Sequence, residues 1–205
     1  MRRFFLVLNI SALTALAGIV ITGFTEKRIA PSISKNNYPM TDTSKKHDMI
    51  MTRVFDAPVT SVWKAWNDPE WVMRWWGPTG FTSPTCKMDF REGGTTIVCM
   101  RAPKDFGGMD MYNSWTYKKI IPMEFIEYHF DWVDKDGNKI DPVSIGMPPN
   151  MPRDMKHTVV FKDMGNGKTE MTISEFGYGS KEIVELSKSG MAQCLDKMAA
   201  IFVAK

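Results

Sequence analysis

The chain has 205 residues, 43% hydrophobic and 24% charged, which excludes an intrinsically disordered chain and leaves room for one globular domain with an appendage. Its net charge is only +3 and its lysines and arginines form no stripe, so no nucleic-acid partner is expected. Three cysteines without metal-ligand spacing offer no zinc site, and neither a metal nor a cofactor is expected.

Arg2 and Arg3 precede an uncharged apolar run, residues 4–24. At a helical rise it would extend ~31 Å, enough to cross a bilayer core. The run also fits a signal peptide, with Ala15-Leu16-Ala17 as a small-residue cleavage site. Residues 1–24 are therefore expected to act as a signal anchor or a signal peptide. Under either reading the protein is membrane-anchored or exported. An internal start at Met49 or Met51 would instead give a cytoplasmic protein. Residues 25–48 are polar, hold two prolines and read as a linker. One domain, residues 49–205, follows.

The domain opens on a short strand, "MIMTRVF", and then Ala57-Pro58, with Pro58 suited to a first helical position. Val59, Val62, Trp63 and Trp66 share one helical face. Asp68 caps a second short helix that has Pro69 at its first position, and Val72, Trp75 and Trp76 continue the apolar face up to Gly77-Pro78. The spacing of these tryptophans predicts core packing. Three hairpins follow, "TCKMDF" with "TTIVCM", "SWTYKKI" with "FIEYHFDW" and "HTVVFKD" with "KTEMTIS", each joined by turn residues. Long loops separate them, at 101–111 and 134–155. A terminal helix carries Met191, Cys194, Leu195, Met198 and Phe202 on one face. This order predicts an α+β domain, a single antiparallel sheet with one apolar face curled around the last helix.

Pairing arithmetic assigns the faces. A turn at Pro122-Met123 sets Tyr117 opposite Tyr128, Trp115 opposite Phe130 and Asn113 opposite Trp132, an aromatic inner side with one amide. Lys118 with Glu127 and Thr116 with His129 then face solvent. In the last hairpin, Phe161 opposite Met171 and Val159 opposite Ile173 bring His157 opposite Glu175 on the inner side. A paired carboxylate favours a charged imidazole. A turn at Glu92-Gly93 sets Cys86 opposite Cys99, within disulfide reach in an oxidising compartment. Cys194 reads as a buried thiol.

The segments "TRVFDAPVTSVWKAWNDPEWVMRWWGPTGF", "DFREGG" and "SGMAQCLDKMA" resemble the activator of heat-shock protein 90 ATPase homologue family, within the START-like, or SRPBCC, superfamily. The resemblance spans roughly residues 50 to 204. It implies a helix-grip fold, as in the birch-pollen allergen, in which a curved sheet and a long helix enclose an apolar cavity. Candidate cavity residues are Trp115, Tyr117, Tyr128, Phe130, Met171 and Met191, with Asn113, His157 and Glu175 as polar contacts. The expected function is non-enzymatic binding of a small apolar molecule, a lipid or an aromatic compound. One alternative is a chaperone-interaction module. Another is a cyclase-like or hydrolytic enzyme using His157 and Glu175, although no nucleophile can be placed beside them.

Overall fold

The computed structural model describes residues 46–203; the apolar segment 4–24 and nearly all of the linker lie outside the described residues. Among the described residues no helix is long and apolar enough to cross a membrane. The elements run β1 (His47–Phe55), α1 (Val59–Asn67), α2 (Pro69–Trp75), β2 (Cys86–Lys87), β3 (Thr95–Arg101), β4 (Asp110–Ile121), β5 (Phe125–Val133), β6 (Met155–Gly165), β7 (Lys168–Tyr178) and α3 (Lys181–Val203). All seven strands join one antiparallel sheet in the order β1-β7-β6-β5-β4-β3-β2. Its inner face packs on the helices, and α3 buries Met191, Cys194, Leu195 and Met198. This is the curved sheet with a long C-terminal helix that the sequence predicts.

Local chemistry sets the helix pair. Asp68 ends α1, its N–H donating to Lys64 O, and opens α2, its carboxylate accepting from the N–H groups of Glu70 and Trp71. Pro69 takes the first position of α2, whereas Pro58 lies one residue outside α1, as its cap. The tryptophans then fasten both helices to the sheet. Trp66 lies 4.9 Å from Trp75 and 5.7 Å from Trp115, and Trp63 meets Phe161 edge-on at 5.2 Å. Trp75 Nε1 donates to Ala65 O at 2.8 Å, and Trp66 Nε1 donates to Met171 Sδ at 3.2 Å. Burying each such ring stabilises the fold by about 1.5–3 kcal/mol. Trp71, also on α2, is half-buried, unlike Trp63, Trp66, Trp75 and Trp76, with Lys64 and Arg74 over its ring.

After α2 the chain turns back beneath α3. Lys197 Nζ donates to the carbonyls of Gly77 at 2.9 Å, Phe81 at 3.0 Å and Trp76 at 3.5 Å. Thr79 N–H donates to Gln193 Oε1 at 3.1 Å.

Two expected registers need correction. Lys119, not Lys118, faces Glu127, because Pro122, Met123 and Glu124 form a three-residue turn with Met123 at φ 62°. The extra residue is absorbed as a bulge at Lys118, which leaves Tyr112 to Tyr117 paired as predicted. In the first hairpin Cys86 faces Val98 rather than Cys99, so the two cysteine side chains point to opposite faces of the sheet. The expected Cys86–Cys99 disulfide is excluded, and all three cysteines are free. His129, expected in solvent, is half-buried and pairs with Asp154 at 2.8 Å.

Candidate functional site

Neighbouring strands bring a polar row onto the inner face of the sheet. Glu175 of β7 faces His157 of β6, His157 faces Tyr128 of β5, and Tyr128 faces Tyr117 of β4. All four side chains are buried. His157 Nδ1 lies 3.2 Å from Tyr128 Oη, and Tyr117 Oη meets Thr96 Oγ1 at 2.7 Å. Glu175 Oε2 accepts from Ser187 Oγ of α3 at 2.5 Å and from Tyr178 Oη.

Tyr178 reaches Glu175 because of a bulge. Strict alternation would place residues three apart on opposite faces of β7. Between the pairs Met49–Glu175 and His47–Tyr178 the strand carries one extra residue, and Gly177 takes φ +91°. That phase change turns Tyr178 inward.

His157 and Glu175 do not form the charged pair expected from their register. The Nδ1···Oε1 separation is 4.0 Å, and the imidazole is 3% exposed. Burial pulls its pKa below the usual value; Glu175 opposes that shift only in part, and His129 adds to it. The ring is therefore neutral, stacked on Phe130 at 5.2 Å. Burial likewise pushes the Tyr128 and Tyr178 phenols upward, and both stay protonated.

Beside this row lies a second group, whose polar atoms go unanswered. Asn113 faces Trp132 across β4 and β5, and Trp115 meets Trp76 edge-on at 4.7 Å. Both amide atoms of Asn113, the Nε1 atoms of Trp76, Trp115 and Trp132, and His157 Nε2 are buried without a hydrogen-bonding partner among the described residues. Phe130 links the two groups, its ring 5.2 Å from Trp132 and 5.2 Å from His157.

The nine candidate residues are all buried, but they separate by role. Met171 accepts the Trp66 N–H, Tyr117 is bound to Thr96 and packs on Phe90, and Met191 sits in the apolar core; these three hold the fold together. Glu175 is held by Tyr178 and Ser187. Asn113, Trp115, Tyr128, Phe130 and His157 make up the continuous patch with unmet polar atoms at its ends. Sequence reasoning missed Tyr178 and Ser187, and it set Trp132 on the inner side and Trp76 in the core without naming either as a candidate. Trp132 was legible as the partner of Asn113, and Ser187 lies one helical turn before Met191 on the same face.

The expected open hollow is corrected by the packing. Trp66, Trp75, Trp115, Tyr117, Tyr128 and Tyr178 fill the space between sheet and helices. Two clefts lie elsewhere, one beside Trp63, Asn67 and Pro69, the other beside Lys119, Phe125 and Val160. Among the described residues no cluster of three or more His, Cys, Asp or Glu side chains could hold a metal.

The fold recurs in solved structures. A Chromobacterium violaceum protein aligns at 24% identity with a TM-score of 0.61, over 77% of this chain and 98% of its own. An Arthrobacter aurescens protein aligns at 24% identity and 0.63, over 77% and 87%. An AHSA1 protein from Silicibacter pomeroyi aligns at 18% identity and 0.61, over 77% and 98%. At these identities the likeness is one of fold. No curated protein matches the chain significantly. The family described as Activator of Hsp90 ATPase homolog 1-like protein matches residues 56–203, most of the chain and nearly all of the domain, and the chain belongs to that family.

Proposed function

We propose that the domain is a non-enzymatic module that holds a small, mainly apolar molecule between the sheet and α3. One observation carries this reading: five buried side chains, Asn113, Trp76, Trp115, Trp132 and His157, keep polar atoms unpaired inside an aromatic wall. A core built only for stability satisfies such groups or replaces them with apolar ones, since each unmet group costs about 1–3 kcal/mol. A mostly apolar lining with a few placed polar groups is instead the chemistry of a small-molecule site. Because rings fill the interior, a guest enters by displacing side chains.

Native mass spectrometry of the purified full-length chain tests this. The expected result is a small-molecule adduct that survives gentle ionisation and disappears on denaturation. A bare chain that also fails to take up added lipid or aromatic compounds rules the reading out.

The chaperone-interaction alternative rests on the family description. A triad-type hydrolase needs a nucleophile beside His157, yet the ring's one hydrogen-bonding contact among the described residues is Tyr128. Residues 4–24 are proposed as the membrane anchor or export signal. N-terminal sequencing of the mature protein distinguishes the two and would also reveal an internal start.

A further inference from the structure

We propose that the molecule held in this interior is neutral and rich in hydrogen-bond acceptors, such as a flat lactone or ketone, rather than a plain hydrocarbon or a carboxylate. The inference rests on the binding function proposed above and adds the chemical class.

The unpaired atoms are mostly donors. Trp76, Trp115 and Trp132 each present an indole N–H, which can only donate. His157 adds another by elimination. If Tyr128 Oη donates to Nδ1, across 3.2 Å, one orphan remains, the Nε2 proton. The opposite tautomer would leave both the phenol proton and the Nε2 lone pair unmet, and the buried site favours the arrangement with fewer orphans. Asn113 contributes two amide protons against one carbonyl oxygen. The patch thus holds four ring N–H groups and an amide, and a guest satisfies them with oxygen acceptors.

Charge decides between neutral and anionic acceptors. Glu175, 2% exposed, lies on the same sheet face, and among the described residues no lysine or arginine pairs with it. A second carboxylate brought in nearby would meet repulsion at low dielectric. Lys188, next to Ser187 on α3, is exposed, and Lys197 already spends its ammonium on three backbone carbonyls. The rings of Trp115, Phe130 and Trp132 supply the flat apolar contact that a planar guest requires.

Three probes of one shape make the test: naphthalene without acceptors, coumarin with a neutral lactone, and coumarin-3-carboxylate with an added charge. They are titrated into the ¹⁵N-labelled full-length chain while the tryptophan Nε1–H resonances are followed. Single Trp→Phe variants assign Trp76, Trp115 and Trp132. Coumarin is expected to bind at least tenfold more tightly than naphthalene and more tightly than the carboxylate. It should also move those three resonances downfield while those of Trp66 and Trp75, already bonded to Met171 and Ala65, stay in place. Asn113→Leu should weaken coumarin severalfold and spare naphthalene. Equal binding of naphthalene and coumarin, with the three indole resonances unmoved, overturns the acceptor inference and keeps the binding function. Tighter binding of the carboxylate overturns the neutral-guest inference alone. Failure of all three probes to bind overturns the acceptor inference, and the binding function then stands or falls on the mass-spectrometric test with added lipid.

Discussion

Phe130 lies flat against His157, their ring centroids 5.2 Å apart and their planes 6° from parallel. The stack sits on adjacent strands of one sheet face, so an imidazole that sequence pairing assigns to a carboxylate is instead held as a flat, neutral member of an aromatic wall. Burial outweighs the neighbouring charge there.

A pH dependence follows. The folded imidazole titrates below the usual value of about 6.5, so the unfolded chain takes up the proton first as pH falls. Stability from this residue is complete above about pH 6.5 and declines below it by up to about 1.4 kcal/mol per pH unit, until the folded ring also protonates. Urea unfolding between pH 8 and pH 5 should show that decline, and His157→Gln should flatten it. A wild-type protein that gains stability on acidification would mean the imidazole is charged in the fold.

Asn113→Leu should stabilise the ligand-free protein by about 1–2 kcal/mol, because it removes two buried polar atoms that have no partner among the described residues. Thermal or denaturant unfolding measures it. A loss of that size would instead show that the amide is satisfied in solution.

The turn before β3 contains two glycines with different needs. A Cβ on Gly94 would stand 2.2 Å from Asp89 O, whereas one on Gly93 meets nothing within 4 Å but inherits φ +79°. Gly94→Ala should cost about 3 kcal/mol as the backbone shifts. Gly93→Ala should cost about 1 kcal/mol, the strain of its conformation. Denaturation midpoints that rank the pair the other way would contradict the packing described for this turn.

The cysteines should remain thiols whatever compartment the protein occupies. Cys86 and Cys99 point to opposite sheet faces, and burial pushes their thiols up to about 12 and about 11. Thiol counting after denaturation should give three, and folded protein should alkylate slowly at pH 8. Detection of an intramolecular bridge in oxidised protein by mass would reject this register.

The strands that repeat strictly were readable from the sequence; those with an inserted residue were not. The facing pairs Trp115–Phe130, His157–Glu175 and Phe161–Met171 follow from alternation alone, since one buried face fixes register. Lys118, Cys86 and Tyr178 defeat it. A three-residue turn, a very short β2 and a bulge at Gly177 each shift the phase by one residue, and no periodic signal marks them. Lining candidates were found because inward aromatics stand out. Whether the rings leave space between them depends on side-chain volumes arriving from α1, α2 and α3, which pairing rules on one sheet do not address. Ser187 was passed over because a polar residue on a long helix ordinarily faces water.

One ammonium gathers the backbone oxygens of Trp76, Gly77 and Phe81 beneath α3. The stretch carrying Trp76 therefore cannot swing outward without stranding those acceptors, and the ceiling over the aromatic wall is latched to the central rod. Any breathing of the interior on that side must carry rod and ceiling together, as a door moves with its hinge post.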